Sequence, residues 1–257
     1  MLLLQNQIVL ITGASSGIGR EAALKFAKHG AIPVLAARSI EKLQELSAEI
    51  KQRYNIEAPY YSLDVTDGDN VTSVVQDVLK RFSRIDILLN NSGYGLFVST
   101  EEIAMEEVEG MMDVNYFGLV RMTRAVLPSM RERNSGHIIN IASIASFMAG
   151  KKHGVYAATK HAVMGFSDAL RYELKGSGIT LSTINPGPVE TPFFDRADRH
   201  SVPKLVGFLK TEEVAETVIK AAVQKKPLYL LPKLAAIPVK LRHLFPRLYD
   251  FAMTRVK

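Results

Sequence analysis

Ile8-Val-Leu-Ile-Thr-Gly-Ala-Ser-Ser-Gly-Ile-Gly19 decides how this chain folds. Ile8 to Ile11 is an apolar strand, Thr12 to Gly19 a glycine-rich turn, and Gly19 to His29 a helix that Gly30 closes. Gly13 permits the tight turn. Gly17 and Gly19 let backbone approach a pyrophosphate at the helix N-terminus, flanked by Ser15, Ser16 and Ile18. Free N–H groups and the helix dipole favour negative charge there. The spacing is G-x-x-x-G-x-G, so the general dinucleotide fingerprint fits only loosely. A glycine turn alone is also compatible with an ordinary tight turn. Its position directly after an apolar strand favours cofactor binding.

Outward from this unit the alternation continues. Ile32–Ala37 reads as a strand, and Ser39 as the cap of a charged helix running to about Arg53. Tyr60–Leu63 ends a third strand. Val71–Phe82 is helical and Ile85–Leu89 a fourth strand. Longer helices follow at about Met105–Arg133, broken near Val114, and at Val155–Lys175. Ile138–Ile141, Ile179–Ile184 and Leu228–Leu231 are further strands. The strands are continuous apolar runs, which implies burial on both faces. Strand and helix in alternation predict one α/β domain, a Rossmann-like, doubly wound parallel sheet of about seven strands. Residues 1–232 form this catalytic unit, with a substrate flap at 190–210, and residues 233–257 form a basic tail.

Composition bounds the function. A chain of 257 residues buries roughly 75% of its unfolded surface and needs no disulfide or metal to fold. With no Cys it has no disulfide framework, thiolate metal site or Cys nucleophile, which fits a reducing compartment. No cluster of His, Asp and Glu has metal-ligand spacing. The net charge is +6, with much of the basic excess after Lys233. Basic residues are not interleaved with aromatics in the manner of single-strand binders, which argues against nucleic acid. Met1–Gln5 lacks the basic region of a signal peptide, and no apolar run is long enough to span a membrane. These features predict a cytoplasmic protein.

The second strand ends Ala36-Ala37-Arg38-Ser39, with no acid to hold an adenosine ribose 2′-OH. Arg38 can instead pair with a 2′-phosphate, with Ser39 adding a hydrogen bond, so NADP is favoured over NAD. The alternative is a solvated Arg at a helix start. After the third strand, Asp64 can accept from an adenine amino group and Val65 can line the adenine pocket, although this stretch can also simply cap a helix. Asn90, Asn91 and Ser92 lead to Gly93, where Asn side chains can fix the loop and backbone can pass close to a ribose. All of these lie at carboxyl ends of strands, where open α/β sheets bind ligands.

Tyr156-Ala-Ala-Thr-Lys160 puts a phenol and an ammonium on one helix face, one turn apart. Ser143 follows the strand His137–Ala142. A phenol beside a fixed positive charge is a proton donor suited to reducing a carbonyl or oxidising an alcohol. Bringing a phenol from a pKa near 10 toward neutrality needs roughly 4 kcal/mol of preference for phenolate. The ammonium and an oxidised nicotinamide can supply that. His153 and His161 read as loop or helix-surface residues.

Taken together, the turn Thr12–Gly19, Asp64, Asn90–Gly93, Asn115, Ser143, Tyr156, Lys160 and Pro186-Gly-Pro-Val-Glu-Thr191 occur in the order and spacing of one family. The chain resembles the short-chain dehydrogenase/reductase family over about residues 6–232. Ser92 departs slightly from the pattern, since Ala is usual there. The resemblance implies that Tyr156 is the general acid/base. Lys160 would lower its pKa and bond the nicotinamide ribose, and Ser143 would orient the substrate oxygen. Asn115 would hold a water in a relay through Lys160. Pro186, Gly187, Val189 and Thr191 would lie beside the nicotinamide. The helices at about 105–133 and 155–175 would pack across a two-fold axis, giving a homodimer or homotetramer.

The resemblance also makes the segment after Thr191 a flap over the substrate. Phe193, Phe194, Leu205, Val206 and Phe208 would line it, opposite Tyr94, Leu96 and Phe97, with Phe147 nearby. Such a lining favours a hydrophobic ketone or alcohol: a lipid, steroid, retinoid or long-chain substrate. The same residues can equally just pack the flap onto the body. In the tail, Leu234, Ile237, Leu241, Leu244 and Phe245 interleave with Lys233, Lys240, Arg242 and Arg247, and Pro238 and Pro246 divide it into short helical pieces. Such a segment can lie peripherally in a membrane interface, dock on a partner subunit or cover the substrate mouth. The leading function is an NADP-dependent reductase. A non-catalytic dinucleotide-binding protein on the same fold, or an epimerase, is the alternative.

Overall fold

A computed structural model describes residues 3–197 and 207–253. Leu205, Val206 and the last four residues of the tail lie outside that range. Seven strands form one parallel sheet: β1 (Ile8–Thr12), β2 (Ile32–Ala37), β3 (Tyr60–Ser62), β4 (Ile87–Asn90), β5 (Gly136–Ile141), β6 (Ile179–Pro186) and β7 (Leu228–Leu231). Their spatial order is β3-β2-β1-β4-β5-β6-β7.

The sheet is covered on both faces, and the apolar residues of its central strands feed both covers. Val9 and Ile11 point to one side, against α1 (Gly17–Lys28), α2 (Ile40–Tyr54) and α7 (Thr211–Gln224). Ile8 and Leu10 point to the other, against α3 (Gly68–Phe82), α5 (Gly118–Glu132) and α6 (Gly154–Glu173). Period-2 alternation therefore feeds two cores. Burying each such Val, Leu or Ile contributes about 1.5–3 kcal/mol.

The predicted break near Val114 is a π-helical turn, Asp113–Phe117, between α4 (Met105–Met112) and α5. Asp67 caps α3, its carboxylate accepting from Asp69 N and Asn70 N. Ser39 occupies the N-cap of α2, but its side chain makes no capping bond, contrary to the sequence expectation. After β7 a 3-10 turn (Lys233–Ala235) leads to α8 (Ala236–Leu244) and α9 (Pro246–Met253). Pro246 divides the tail as expected. Pro238 does not, because it lies in the first turn of α8, where a backbone N–H has no intrahelical acceptor to lose.

β1 has β2 on one side and β4 on the other, so the order of winding reverses between β1 and β4. A crevice opens there beyond the carboxyl ends of the strands. Among the described residues, no helix is long and apolar enough to cross a membrane.

Candidate active site

The turn after β1 is shaped by what it lacks. Gly13 and Gly17 have φ of 64° and 53°, a region that disfavours side chains. A Cβ on Gly19 would collide with the Gly13 carbonyl and stand 2.5 Å from Asn91 Nδ2. One on Gly17 would come 3.1 Å from Thr191 Cγ2. Ser15 is half-buried, and Ile18 packs on the core beneath. Ser16 is exposed at the N-cap of α1 with no side-chain cap bond, and no acid lies in the first turn. The α1 donors thus face the crevice without a side-chain acceptor from their own cap, as an anionic diphosphate requires.

Thr12 locks this turn to the end of β4. Its Oγ1 accepts from Asn91 N and Ser92 N, both at 3.0 Å. In return Asn91 Nδ2 donates to Thr12 O at 3.0 Å and Gly13 O at 3.1 Å. Sequence reading passed over Thr12. Its signal is a hydroxyl on the last residue of an apolar strand.

Arg38 is exposed at the end of β2. Burial pushes the Asp64 carboxyl up, but hydrogen bonds from Thr66, with the charges of Arg38 and Arg121, together hold it below the ordinary carboxylate range. Asp64 Oδ1 accepts from Thr66 N at 2.9 Å and Thr66 Oγ1 at 2.7 Å. Ser39 lies half-buried next to Arg38. Val65 is buried, and a Cβ on Gly118 would meet its Cγ2 at 2.6 Å. On the other side of the crevice, Pro186 ends β6, Gly187 N donates to Leu231 O at 2.7 Å, and buried Val189 bridges to Leu209. Thr191 Oγ1 donates to Val189 O at 3.3 Å.

A buried polar ladder holds α6 against the sheet. Asn90 Nδ2 donates to Asn140 Oδ1 at 2.9 Å, and Asn140 Nδ2 to Ser167 Oγ at 2.9 Å. The ladder sets the height of Tyr156 and Lys160 over β5. Ser143 leaves β5 at the N-cap of a 3-10 turn (Ile144–Ser146), where its Oγ accepts from Ala145 N at 3.1 Å and donates to Pro186 O at 3.4 Å. Lys160 is only 5% exposed, and its Nζ donates to Ile141 O at 3.1 Å. That ammonium stands 5.8 Å from the Tyr156 ring centroid and 3.6 Å from where a Gly93 Cβ would be. Gly93 thus leaves open the space beside the charge.

Burial dominates the titration of this group. It pushes the Tyr156 phenol up to about 12, and the Ser143 hydroxyl opposes that shift. It pulls the Lys160 ammonium down to about 8. In the chain by itself the phenol therefore stays protonated, whereas the sequence argument assigned the lowering to the ammonium together with an oxidised nicotinamide. Desolvation leads both shifts.

Asn115 lies in the π-helical turn, fully buried. Its Oδ1 accepts from Tyr94 N at 2.9 Å, and its Nδ2 donates to Tyr94 O at 2.8 Å and Thr159 Oγ1 at 3.0 Å. Both amide hydrogens are engaged, so this side chain fixes the loop at 93–95 beside Lys160. Thr159, inside the quoted Tyr156–Lys160 segment, was missed as its partner.

An aromatic group covers the phenol. Phe97 and Phe193 stand 5.6 Å and 5.5 Å from the Tyr156 ring, centroid to centroid. Phe194 stacks edge-on with Phe193 at 5.3 Å and with Phe208 at 5.0 Å. Tyr94 joins the flap differently, with the Arg196 guanidinium 4.8 Å from its ring and its hydroxyl donating to Glu107 at 3.4 Å. One expectation needs correction. Phe147 is not in the aromatic group; it packs against Leu119, Ala142, Val163 and Met164 on the α5–α6 side. His153 is a half-buried loop residue at the N-cap of α6, its ring edge-on 4.1 Å from Phe97. The apolar Phe97, distant in sequence, draws it in. His161 is exposed on α6 with Nδ1 2.8 Å from Ala157 O. Among the described residues, no group of three or more His, Asp or Glu is placed to hold a metal ion.

Residues 7–201 match the short chain dehydrogenase family. An uncharacterized oxidoreductase of Staphylococcus saprophyticus is 38% identical over 224 residues, covering 87% of this chain and 94% of that protein. A short chain dehydrogenase/reductase from Burkholderia phymatum, solved with NAD, superposes with a TM-score of 0.87 at 26% identity over 96% of both chains. An alcohol dehydrogenase from Thermococcus sibiricus, complexed with 5-hydroxy-NADP, superposes at 0.79 with 30% identity over 88% of this chain and 95% of its own. With the family match running over more than half of its length, this chain belongs to the short-chain dehydrogenase/reductase family of oxidoreductases.

Proposed function

We propose that the protein interconverts a ketone or aldehyde and an alcohol using NADP(H), with Tyr156 as general acid/base, on a hydrophobic substrate. The carrying observation is that Ser143, Tyr156 and the buried Lys160 meet beneath a group of aromatic rings. The bare glycine turn fits a dinucleotide diphosphate, and Arg38 beside Asp64 fits a 2′-phosphate. The Thermococcus relative's NADP analogue agrees with this choice; the Burkholderia relative's NAD is the competing case.

The bound nicotinamide would supply a hydride to the carbonyl carbon. Ser143 Oγ–H donates to the carbonyl oxygen and holds it next to the phenol. As that oxygen gains the electron pair of the C=O bond, Tyr156 gives it a proton, leaving phenolate. A phenol that burial keeps protonated suits the acid role in reduction, and the Lys160 ammonium stabilises the phenolate left behind. Solvent then returns the proton. Asn115 contributes by holding the 93–95 loop. The rings of Phe97, Phe193 and Phe194 exclude water and favour an apolar substrate. A homodimer or homotetramer through α4–α6 belongs to this reading, with Phe117 and Tyr172 exposed there.

The test is NADPH and NADH binding, then NADPH oxidation over a panel of aldehydes, ketosteroids, retinal and long-chain 3-keto compounds, for wild type and Tyr156→Phe. Turnover reduced by about 10²–10⁴ with NADPH binding intact supports the reading. Equal turnover in both proteins overturns the role of Tyr156. Binding without turnover on any substrate moves the protein toward a binding role.

A further inference from the structure

α8 has two apolar faces, and among the described residues only one is buried. Ala235, at its N-cap, and Val239 are buried against the body, and Arg242 on the same side donates to the Phe147 carbonyl. On the opposite side Ile237 and Leu244 are 64% and 70% exposed, with Leu234, just ahead of the helix, 73% exposed and Phe245, just after it, 57% exposed. Ile237, Leu241 and Leu244 follow helical spacing, so they form one stripe. Isolated exposed apolar residues are ordinary, but a contiguous stripe of large ones marks a contact surface.

Charge selects the occupant. Lys233, Lys240 and Arg247 are exposed around the stripe, with Lys240 on its own face of the helix. After Leu231 the chain has one acid, Asp250, against six Lys and Arg. A second copy meeting this face through a two-fold axis would bring like charges together. An anionic lipid surface takes the apolar stripe into its acyl boundary and pairs the cations with headgroups. We infer that α8 and its flanks dock the protein on the surface of an anionic bilayer without crossing it. The Arg242 bond holds the opposite, inward face of α8 to Phe147, in the segment that follows Ser143. The inference does not depend on the cofactor or on Tyr156.

The chain contains no Trp, so Phe245→Trp gives the full-length protein a single tryptophan at the stripe. It would be mixed with phosphatidylcholine vesicles, with and without about a third phosphatidylglycerol, and followed by emission and by sedimentation. A blue shift and pelleting with the anionic vesicles only, weakened by salt, is the expected result. Adding Ile237→Ser and Leu244→Ser should abolish both signals. Lys233→Glu with Lys240→Glu and Arg247→Glu, all exposed, should lower the partition by at least about tenfold. Protein that stays in the supernatant with both vesicles overturns the inference. So does equal binding to both vesicle types. An emission already blue without lipid, in a dimer that the serine variant dissociates, assigns the stripe to a second copy instead.

Discussion

The Phe193 ring stands 5.5 Å from the Tyr156 ring at an interplanar angle of 62°, so a residue of the flap directly covers the phenol. Gly95 makes room for the pair, since a Cβ there would stand 2.5 Å from Phe193 Cζ and 3.0 Å from Tyr156 Cδ2. Phe193→Ala should raise KM for bulky hydrophobic carbonyls by about tenfold while changing kcat little, because it removes aromatic packing and no reacting group. Stability should fall by less than about 1.5 kcal/mol. Steady-state kinetics on a large and a small ketone decide it; an equal loss on both, carried by kcat, would show that Phe193 acts on the chemistry.

Lys160 should be costly to the fold and needed by the reaction. Its ammonium is buried with one hydrogen bond, and its pKa falls from 10.5 to about 8. Below pH 8 the folded protein carries the full cost of that charge. Between pH 8 and 10.5 the unfolded chain holds more protons than the folded one, so this group's contribution to stability rises with pH. Lys160→Met removes the charge, leaves Ile141 O without its donor, and should stabilise at pH 7 by about 1–3 kcal/mol. Turnover should be lost in the same variant. Urea melts at pH 7 and 9.5 check this: the variant should gain less at the higher pH.

His137 works in the acid range. It is buried at the start of β5, with Nε2 2.9 Å from Ser182 Oγ, and burial, then Lys225, pulls its pKa down from 6.5 to about 3. The folded state holds the ring neutral while the unfolded chain protonates it. Stability from this group is therefore complete above pH 6.5 and is lost as pH falls toward 3, by about 5 kcal/mol over the window. His137→Gln should flatten the slope of stability against pH between 6.5 and 4. Parallel slopes for the two proteins would place the acid sensitivity in the carboxylates.

Arg38→Asp should reverse the coenzyme preference. Losing a charge-assisted bond to a 2′-phosphate and gaining a like charge there should weaken NADPH binding by about 10²-fold, with NADH binding unchanged or better. Isothermal titration with both coenzymes reads this directly, and unchanged NADPH affinity would return Arg38 to the role of a solvated helix-start residue.

The sequence by itself determined the sheet, because strands buried on both faces read as near-continuous apolar runs, and Ile8–Ile11 and Ile138–Ile141, interrupted only by Asn140, show this without any partner in view. The Tyr156–Lys160 spacing and the bare turn Gly13–Gly19 were legible for the same reason: each needs only its own neighbours in the chain. Side-chain surroundings were not. Phe147 went to the α5–α6 side and His153 came in against Phe97, since each was claimed by residues far away in sequence. The titration of Tyr156 in the chain by itself is also set by tertiary structure: desolvation leads it, and desolvation is decided only when the chain has closed around the group. The bond from Arg242 to Phe147, 95 residues apart, likewise exists only in the folded molecule, where packing turns one face of α8 inward and leaves the other bare.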